Sequence, residues 1–211
     1  PNLTMIATIN AIIWADAIPV IIDTNDSLTM SYEKLRNVKK LKAVIYVPLN
    51  GRIQDGLEIQ KWCKKNNKIL IEDSAHALGT KYSSNYKAGS LGDVSIFSFT
   101  PHKIITTGQG GMVLTNNRKI SNNLSDLKYF NRRKDKLDWH DGFGLNFKFT
   151  DLQAALGIAQ FKRLNSHIER KKTLFKKYNE LNNPNFQLRN FDIENEIPWF
   201  YDLYSKSVKK I

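Results

Sequence analysis

The sequence predicts an α/β fold in which a mostly parallel sheet is covered by helices on both faces. Short apolar runs of strand length alternate along the chain with longer segments whose apolar residues recur at helical spacing. Such alternation is typical of parallel sheets, because the crossover between two parallel strands is long enough to contain a helix. With 211 residues, the chain is long enough for one large domain or one and a half.

Each predicted element depends on its own local pattern. In chain order, the elements are a helix over 3–15, a strand over 19–23, a helix over 31–38, a strand over 43–47, a helix over 56–66, strands over 68–72, 94–98 and 111–115, a helix over 117–130 and one long helix over 150–182. Ser31 is expected to cap the second helix, with Glu33 in its first turn. Leu152, Leu156 and Leu164 are among the apolar residues that favour a single long helix.

A domain boundary is predicted near residue 182, where the Asn/Pro-rich residues 182–185 interrupt the helical pattern. We expect a large domain over 1–182 that includes the long connecting helix. Residues 183–211 are expected to begin a smaller C-terminal domain. Both ends of the sequence resemble the middle of a structured region rather than terminal tails, so we expect the chain to be a fragment.

Composition indicates a cytoplasmic globular protein, since no apolar run could span a bilayer and no signal-peptide pattern is seen. Cys63 is the only cysteine, which excludes an internal disulfide. The net charge of +12 comes from short lysine groups scattered over predicted helix faces. We interpret them as a solvated surface rather than a nucleic-acid-binding stripe. The four histidines are too dispersed to predict a metal site.

Two stretches carry the chemistry. In the first, residues 69–79, an apolar strand ends abruptly in Glu72 and Asp73, and His76 follows. A carboxylate at a strand end suits a metal, a ribose hydroxyl or a protonated ring nitrogen, and it could equally cap the next turn. In the second, residues 97–111, Ser98 stands at a strand end and Lys103 follows in a glycine-rich loop.

Lys103 is a candidate nucleophile, because a buried lysine loses its proton more easily than an exposed one. Gly108, Gly110 and Gly111 permit close backbone approach or positive φ angles. A phosphate-binding P-loop is excluded, since the required glycine-lysine order is missing.

The combined pattern resembles the DegT/StrS family of sugar aminotransferases, a branch of the fold type I enzymes that use pyridoxal 5′-phosphate (PLP). Residues 1–11 resemble P-x-x-T-[FWYM]-x-A-x-x-N-A, residues 72–79 resemble E-D-[AS]-A-[QH]-A-x-G, residues 92–103 resemble G-D-x-x-x-x-S-F-x-x-x-K, residues 107–111 resemble T-G-E-G-G, and residues 144–155 resemble G-x-N-x-[RK]-[ML]-x-[DE]-x-Q-A-A. The resemblance covers nearly all of residues 1–180. It implies the three-layer sandwich of the fold type I large domain.

The resemblance implies a role for each matching residue. Lys103 would be the Schiff-base lysine and the base that moves the proton. Asp73 would pair with the pyridinium nitrogen, and His76 would lie near the phenolic oxygen of the cofactor. Ser98 would bind the phosphate, and Asn146 would reach the phosphate held by the neighbouring subunit of a homodimer with shared active sites.

Three positions bear on this interpretation. Met5 stands where relatives often carry an aromatic residue against the cofactor ring, and its sulfur can pack there. Gln109 replaces the usual glutamate of T-G-E-G-G. Some relatives carry histidine in place of the lysine and are sugar dehydratases, whereas this chain has Lys103, with His102 one position earlier.

The implied reaction transfers an amino group from an amino acid, usually glutamate in this family, to a keto group of a nucleotide-linked deoxysugar. Its implied context is the synthesis of precursors for surface polysaccharides or glycans. Two alternatives stay open: a PLP-dependent sugar dehydratase, and a non-catalytic or regulatory relative of the family.

Overall fold

The structure is a computed structural model that describes residues 1–133, 135–181 and 187–205. Its centre is a four-stranded sheet, in which the adjacent strands in order are Ala43–Tyr46 (β1), Ile69–Asp73 (β2), Val94–Ser98 (β3) and Gly111–Leu114 (β4). The first three strands pair in parallel, and β4 runs antiparallel to β3. The predicted α/β fold with a mostly parallel sheet is confirmed.

Six α-helices, a short 3₁₀ helix at Leu49–Gly51 and a second sheet complete the described elements. The helices are Ile6–Trp14 (α1), Tyr32–Leu35 (α2), Gly56–Lys65 (α3), Arg118–Leu127 (α4), Asp151–Lys162 (α5) and Leu164–Asn179 (α6). Gln187–Leu188 (β5) and Leu203–Tyr204 (β6) pair antiparallel. The cap predicted at Ser31 is confirmed, because its side chain accepts a hydrogen bond from the Lys34 N–H at 3.4 Å.

The main core lies between the sheet and α3. Ile59 and Cys63, one helical turn apart, are both buried in one cluster with Val44 and Tyr46 of β1 and Leu70 of β2. Burial raises the pKa of the Cys63 thiol to about 11, with the Asp93 carboxylate as a smaller cause. Cys63 therefore acts as a small buried hydrophobic residue.

A buried carboxylate anchors the carboxyl end of β2. Glu72 is fully buried and accepts five hydrogen bonds of 2.7–3.3 Å. The donors are the hydroxyls of Ser74, Tyr82 and Ser95 and the backbone N–H groups of Gly89 and Leu91. A network satisfied in this way is rigid, so it fixes the backbone that presents the next residue, Asp73.

The C-terminal segment, residues 187–205, packs back onto the end of the sheet. Asp202 accepts hydrogen bonds at one oxygen from Arg52 Nε (3.2 Å) and Nη2 (3.1 Å), and at the other from Asn50 Nδ2 (2.7 Å). Trp199 lies in a small core cluster with Ile104. The segment thereby reaches the loop that follows β3.

The predicted strand over 19–23 is wrong. Val20 and Ile21 are about half exposed, and Ile22 alone among the apolar residues of this run reaches the core. The Asn2 N–H donates to the Ile22 carbonyl at 2.7 Å, but the contact does not extend into a ladder. An apolar run indicates that a segment tends to be buried. It does not indicate whether a neighbouring strand lies beside it to form hydrogen bonds.

The single long helix over 150–182 is also wrong. Arg163, with φ −102° and ψ 8°, separates α5 from α6. Leu164 and Ile168 of α6 pack against the Trp199 cluster, whereas no residue of α5 is buried in the described part of the chain. The two helices therefore differ in burial, and a continuous apolar periodicity over both does not reveal this difference. The predicted break at 182–185 lies outside the described residues.

Apolar side chains remain exposed on one part of the molecule. Leu152 and Phe161 of α5 are 87% and 61% exposed, and all four residues of β4 are exposed. Among the described residues, no helix is both long and apolar enough to cross a membrane.

Candidate active site

The candidate site lies at the carboxyl edge of the sheet. Asp73 ends β2 and Ser98 ends β3, and because these strands are parallel, both residues emerge at the same edge. Lys103 follows in the loop after β3, and α1 brings Thr8 to Asp73. Ligands of α/β sheets bind at this edge.

The Asp73 carboxylate is nearly buried and is oriented by neutral donors. Its Oδ2 accepts a 2.7 Å hydrogen bond from Thr8 Oγ1, which accepts in turn from Thr4 Oγ1 at 3.1 Å. Its Oδ1 accepts a longer bond from the Ala75 N–H at 3.3 Å. Asp73 forms no salt bridge within the described residues. The carboxylate therefore faces the site without a basic side chain bound to it.

Lys103 has an amine that is easier to deprotonate than an exposed lysine. Burial lowers its pKa to about 8, although the negative charge of Asp73 acts in the opposite direction. Roughly one amine in ten is then neutral at pH 7, against about one in three thousand at the ordinary pKa of a lysine. A neutral amine is the form that attacks a carbonyl carbon.

His76 is a neutral imidazole in this setting. Burial lowers its pKa to about 3, with smaller contributions from the positive charges of Lys103 and His102. Its Nδ1 accepts a long hydrogen bond of 3.5 Å from the Asn50 N–H. Because a neutral imidazole carries one hydrogen, Nε2 is the nitrogen that can donate to a ligand.

Hydroxyls and glycines line the loop that holds Lys103. Ser98 Oγ donates to Thr100 Oγ1 at 3.4 Å, and Thr106 Oγ1 accepts from the Gly108 N–H at 3.0 Å. Gly108 and Gly110 have φ angles of 77° and 140°, as the glycine-rich pattern predicted. The turn that follows Thr107 thus requires glycine at these two positions, because residues with a side chain rarely adopt such φ angles.

The predicted site residues fall into two groups. The structure brings Asp73, His76 and Lys103 together, and it places Ser98 at the same edge. Met5 is largely exposed at the start of α1, and Asn146 is exposed in an isolated bridge with Tyr129. No hydrogen bond or ring contact joins these two to the first group within the described part of the chain.

Sequence reasoning missed two residues. Thr8 lies inside a segment that matched a family pattern, but at a position where that pattern allows any residue. Trp199 contacts both Lys103 and His76, whereas the sequence predicts that it belongs to the start of another domain. A sequence signal existed in the apolar-aromatic run 197–204, since such a run is expected to be buried against something.

The chain belongs to the DegT/DnrJ/EryC1/StrS aminotransferase family, whose sequence model matches residues 1–199. The GDP-perosamine synthase of Escherichia coli O157:H7 is 37% identical over 177 residues, which are 82% of this chain and 48% of that protein. The UDP-4-amino-4,6-dideoxy-N-acetyl-beta-L-altrosamine transaminase of Campylobacter jejuni strain 81-176 is 34% identical over 84% of this chain and 49% of that protein.

Solved structures agree with the fold. PseC of Helicobacter pylori, an aminotransferase involved in the biosynthesis of pseudoaminic acid, superimposes with a TM-score of 0.86 and 24% identity, over 99% of this chain and 59% of that one. The chain spans about half the length of the curated relatives that it matches. The fold is therefore that of PLP-dependent aminotransferases.

Proposed function

We propose that this protein is a PLP-dependent aminotransferase that moves an amino group from an amino acid, glutamate by family resemblance, to a keto group of a nucleotide-linked deoxysugar. The observation that carries the proposal is the half-buried Lys103, whose pKa is lowered, beside Asp73 and a neutral His76. The sugar-nucleotide enzymes among its relatives support the substrate class. Synthesis of surface polysaccharide or glycan precursors is the proposed context.

The residues present fit the cofactor. A carboxylate oriented by neutral donors, Asp73, can pair with a protonated ring nitrogen. The Nε2–H of His76 can donate to a phenolic oxygen, and the Ser98 hydroxyl can bind a phosphate. When bound, PLP supplies an electron sink for the carbon that loses a proton.

Lys103 has two tasks in this proposal. Its Nζ would hold the cofactor, and when released from it as a neutral amine it would accept the proton from the carbon of the amino acid and later return it. Because the pKa of Lys103 is about 8, the amine can both take and release a proton near neutral pH. Met5 would contact the cofactor ring through its thioether.

We further propose a cytoplasmic homodimer with shared active sites, without nucleic-acid or membrane partners. Asn146 is exposed, as a residue that serves the phosphate of a neighbouring subunit must be. The apolar surface of α5 is a suitable interface. Residues 1–182 are assigned to the PLP-binding large domain and 183–211 to the start of the small domain.

The first test is to trap the cofactor on its lysine. The purified protein is incubated with PLP, reduced with borohydride and digested, and the modified peptide is identified by mass spectrometry. We expect a yellow protein before reduction and the label on Lys103 after it, and neither in Lys103→Ala. The control Lys61→Ala removes an exposed lysine of α3 and should label normally. A folded protein that stays colourless, or that labels elsewhere, contradicts the proposal.

Reaction products then separate the alternatives. Incubation with glutamate and a nucleotide-linked keto sugar should yield an amino sugar and 2-oxoglutarate. A deoxygenated sugar without net amino transfer would indicate the dehydratase. Tight, salt-dependent binding to duplex DNA by an inactive protein would indicate a regulator.

A further inference from the structure

Trp199 is the point at which the C-terminal segment meets Lys103. The tryptophan is 4% exposed, and Lys103 Nζ lies 3.9 Å from the centroid of its indole. The His76 ring lies 3.8 Å from the same indole, at an angle of 38°. One side chain from a remote part of the sequence therefore contacts two residues of the candidate site.

The indole is fixed from three parts of the chain. Its Nε1–H donates to the His102 carbonyl at 2.9 Å. The backbone N–H of Trp199 donates to the Asn50 carbonyl at 3.1 Å, and its carbonyl accepts from Lys171 Nζ at 3.1 Å. These bonds fix the position and the orientation of the indole. Its location over the Lys103 amine is therefore determined by the fold.

The segment that carries Trp199 is itself held by a nearly buried ion pair. Arg52 binds Asp202 through two nitrogens, and its guanidinium lies 3.8 Å over the Phe191 ring. The Arg52 side chain is 4% exposed. Three residues beyond Trp199, this pair limits the freedom of the segment to leave the site.

The indole acts on the amine in two opposite ways. Its face attracts an ammonium group, whereas its bulk keeps water from the amine and so disfavours the charged form. The titratable groups that interact with the amine are Asp73 and His76, and the His102 ring lies 5.6 Å from the same indole between centroids. Burial is the larger influence on the pKa of Lys103, above the opposing charge of Asp73.

We propose that Trp199 is a positioning residue for Lys103: the indole covers the amine, excludes water from it and thereby makes its reactivity depend on the order of the C-terminal segment. The inference rests on the proposed function only in taking Lys103 as the reactive amine. It assigns a task to a residue that lies 96 positions further along the chain.

The test measures the amine directly and needs no cofactor. Amines are labelled competitively with trace acetic anhydride over a pH series, and the Lys103 peptide is quantified by mass spectrometry. We expect a midpoint near pH 8 for the wild-type protein. In Trp199→Ala, water reaches the amine and the midpoint should rise by about one unit, which lowers labelling at pH 8 about fivefold.

Two control variants distinguish the loss of the ring over the Lys103 amine from the loss of any tryptophan. Trp199→Phe keeps an apolar ring over the amine, so its midpoint should stay close to that of the wild-type protein. Trp14→Ala removes a tryptophan that is 89% exposed and should leave the midpoint unchanged. A folded Trp199→Ala protein, by circular dichroism, with the wild-type midpoint overturns the proposal.

A reciprocal measurement decides the matter even if Trp199→Ala does not fold. The fluorescence of Trp199 is obtained as the difference between the wild-type protein and Trp199→Phe. We expect it to titrate with the same midpoint as Lys103 labelling, and the titration to vanish in Lys103→Met. A difference signal that does not follow the lysine overturns the proposal. If the signal does follow the lysine but PLP is not trapped on Lys103, the proposed function alone fails.

Discussion

At the scale of single residues, the short hydrogen bond from Thr8 to Asp73 links α1 to the centre of the site. Thr8→Val removes the hydroxyl but keeps the shape of the side chain, so Oδ2 of a nearly buried carboxylate loses its 2.7 Å donor. We expect the free energy of unfolding to fall by about 2 kcal/mol, as for hydrogen bonds to charged groups. Urea titration followed by circular dichroism measures the change.

The matched control is Thr8→Ser, which keeps the hydroxyl and should lie much closer to the wild-type protein. PLP affinity should follow the same order, because a carboxylate without its donor is free to rotate away from the ring nitrogen. Equal stability of the valine and serine variants would contradict the assigned role of the hydroxyl.

Residues whose position is local in the sequence were predictable. Asp73 and Ser98 stand at strand ends, and Lys103 stands beside glycines, so short patterns located all three. Trp199 was not predictable, since its contact with Lys103 joins segments far apart in the chain and depends on how the C-terminal segment folds back. No local pattern specifies which distant residue will cover a given amine.

At the scale of elements, the ion pair between Arg52 and Asp202 holds the C-terminal segment against the turn at Leu49–Gly51. Asp202→Ala leaves a nearly buried guanidinium with its bond to the Asn190 carbonyl (2.6 Å) but without its counter-charge. We expect a loss of about 3 kcal/mol in the free energy of unfolding, at the low end for broken buried pairs because Asp202 is partly exposed.

Glu33→Ala provides the matched control. It removes a carboxylate that lies 2.6 Å from Arg36 but is 67% exposed, and such surface pairs contribute roughly 0–1 kcal/mol. Chemical unfolding of both variants, side by side, measures the difference. A cost for Asp202→Ala that does not exceed that of Glu33→Ala would show that the pair does not hold the segment.

Elements with a clearly defined buried face were predicted better than elements whose limits depend on distant parts of the chain. Helix α3 and strands β1, β2 and β3 fell close to their predicted bounds, because their apolar patterns match one buried face or a fully covered strand. Residues 19–23 have the same apolar character but no neighbouring ladder. The break at Arg163 separates a helix that buries no described residue, α5, from one that packs on the core, α6. A short stretch of sequence does not show this difference.

At the scale of the whole molecule, the chain has more surface than a compact monomer of its mass. Its accessible surface is 14249 Å², whereas a compact monomer of 24.3 kDa has about 10,000 Å². Apolar side chains of α5 and β4 contribute to the excess. Obligate dimers bury roughly 2,000–5,000 Å² in total, about half of it on each chain, so a second copy of the chain can account for part of this excess.

Leu152→Asp tests whether α5 forms that interface. Leu152 is 87% exposed at the start of a helix that buries none of its residues in the described structure, and a carboxylate there would lose its hydration on association. We expect the dissociation constant of the dimer to rise at least about tenfold, equivalent to about 1.4 kcal/mol. Ser121→Asp introduces the same charge at an exposed polar position of α4 and should not change it. Sedimentation velocity over a concentration series distinguishes these outcomes. A wild-type protein that remains monomeric throughout would remove the homodimer, and with it the reason for Asn146 to be exposed.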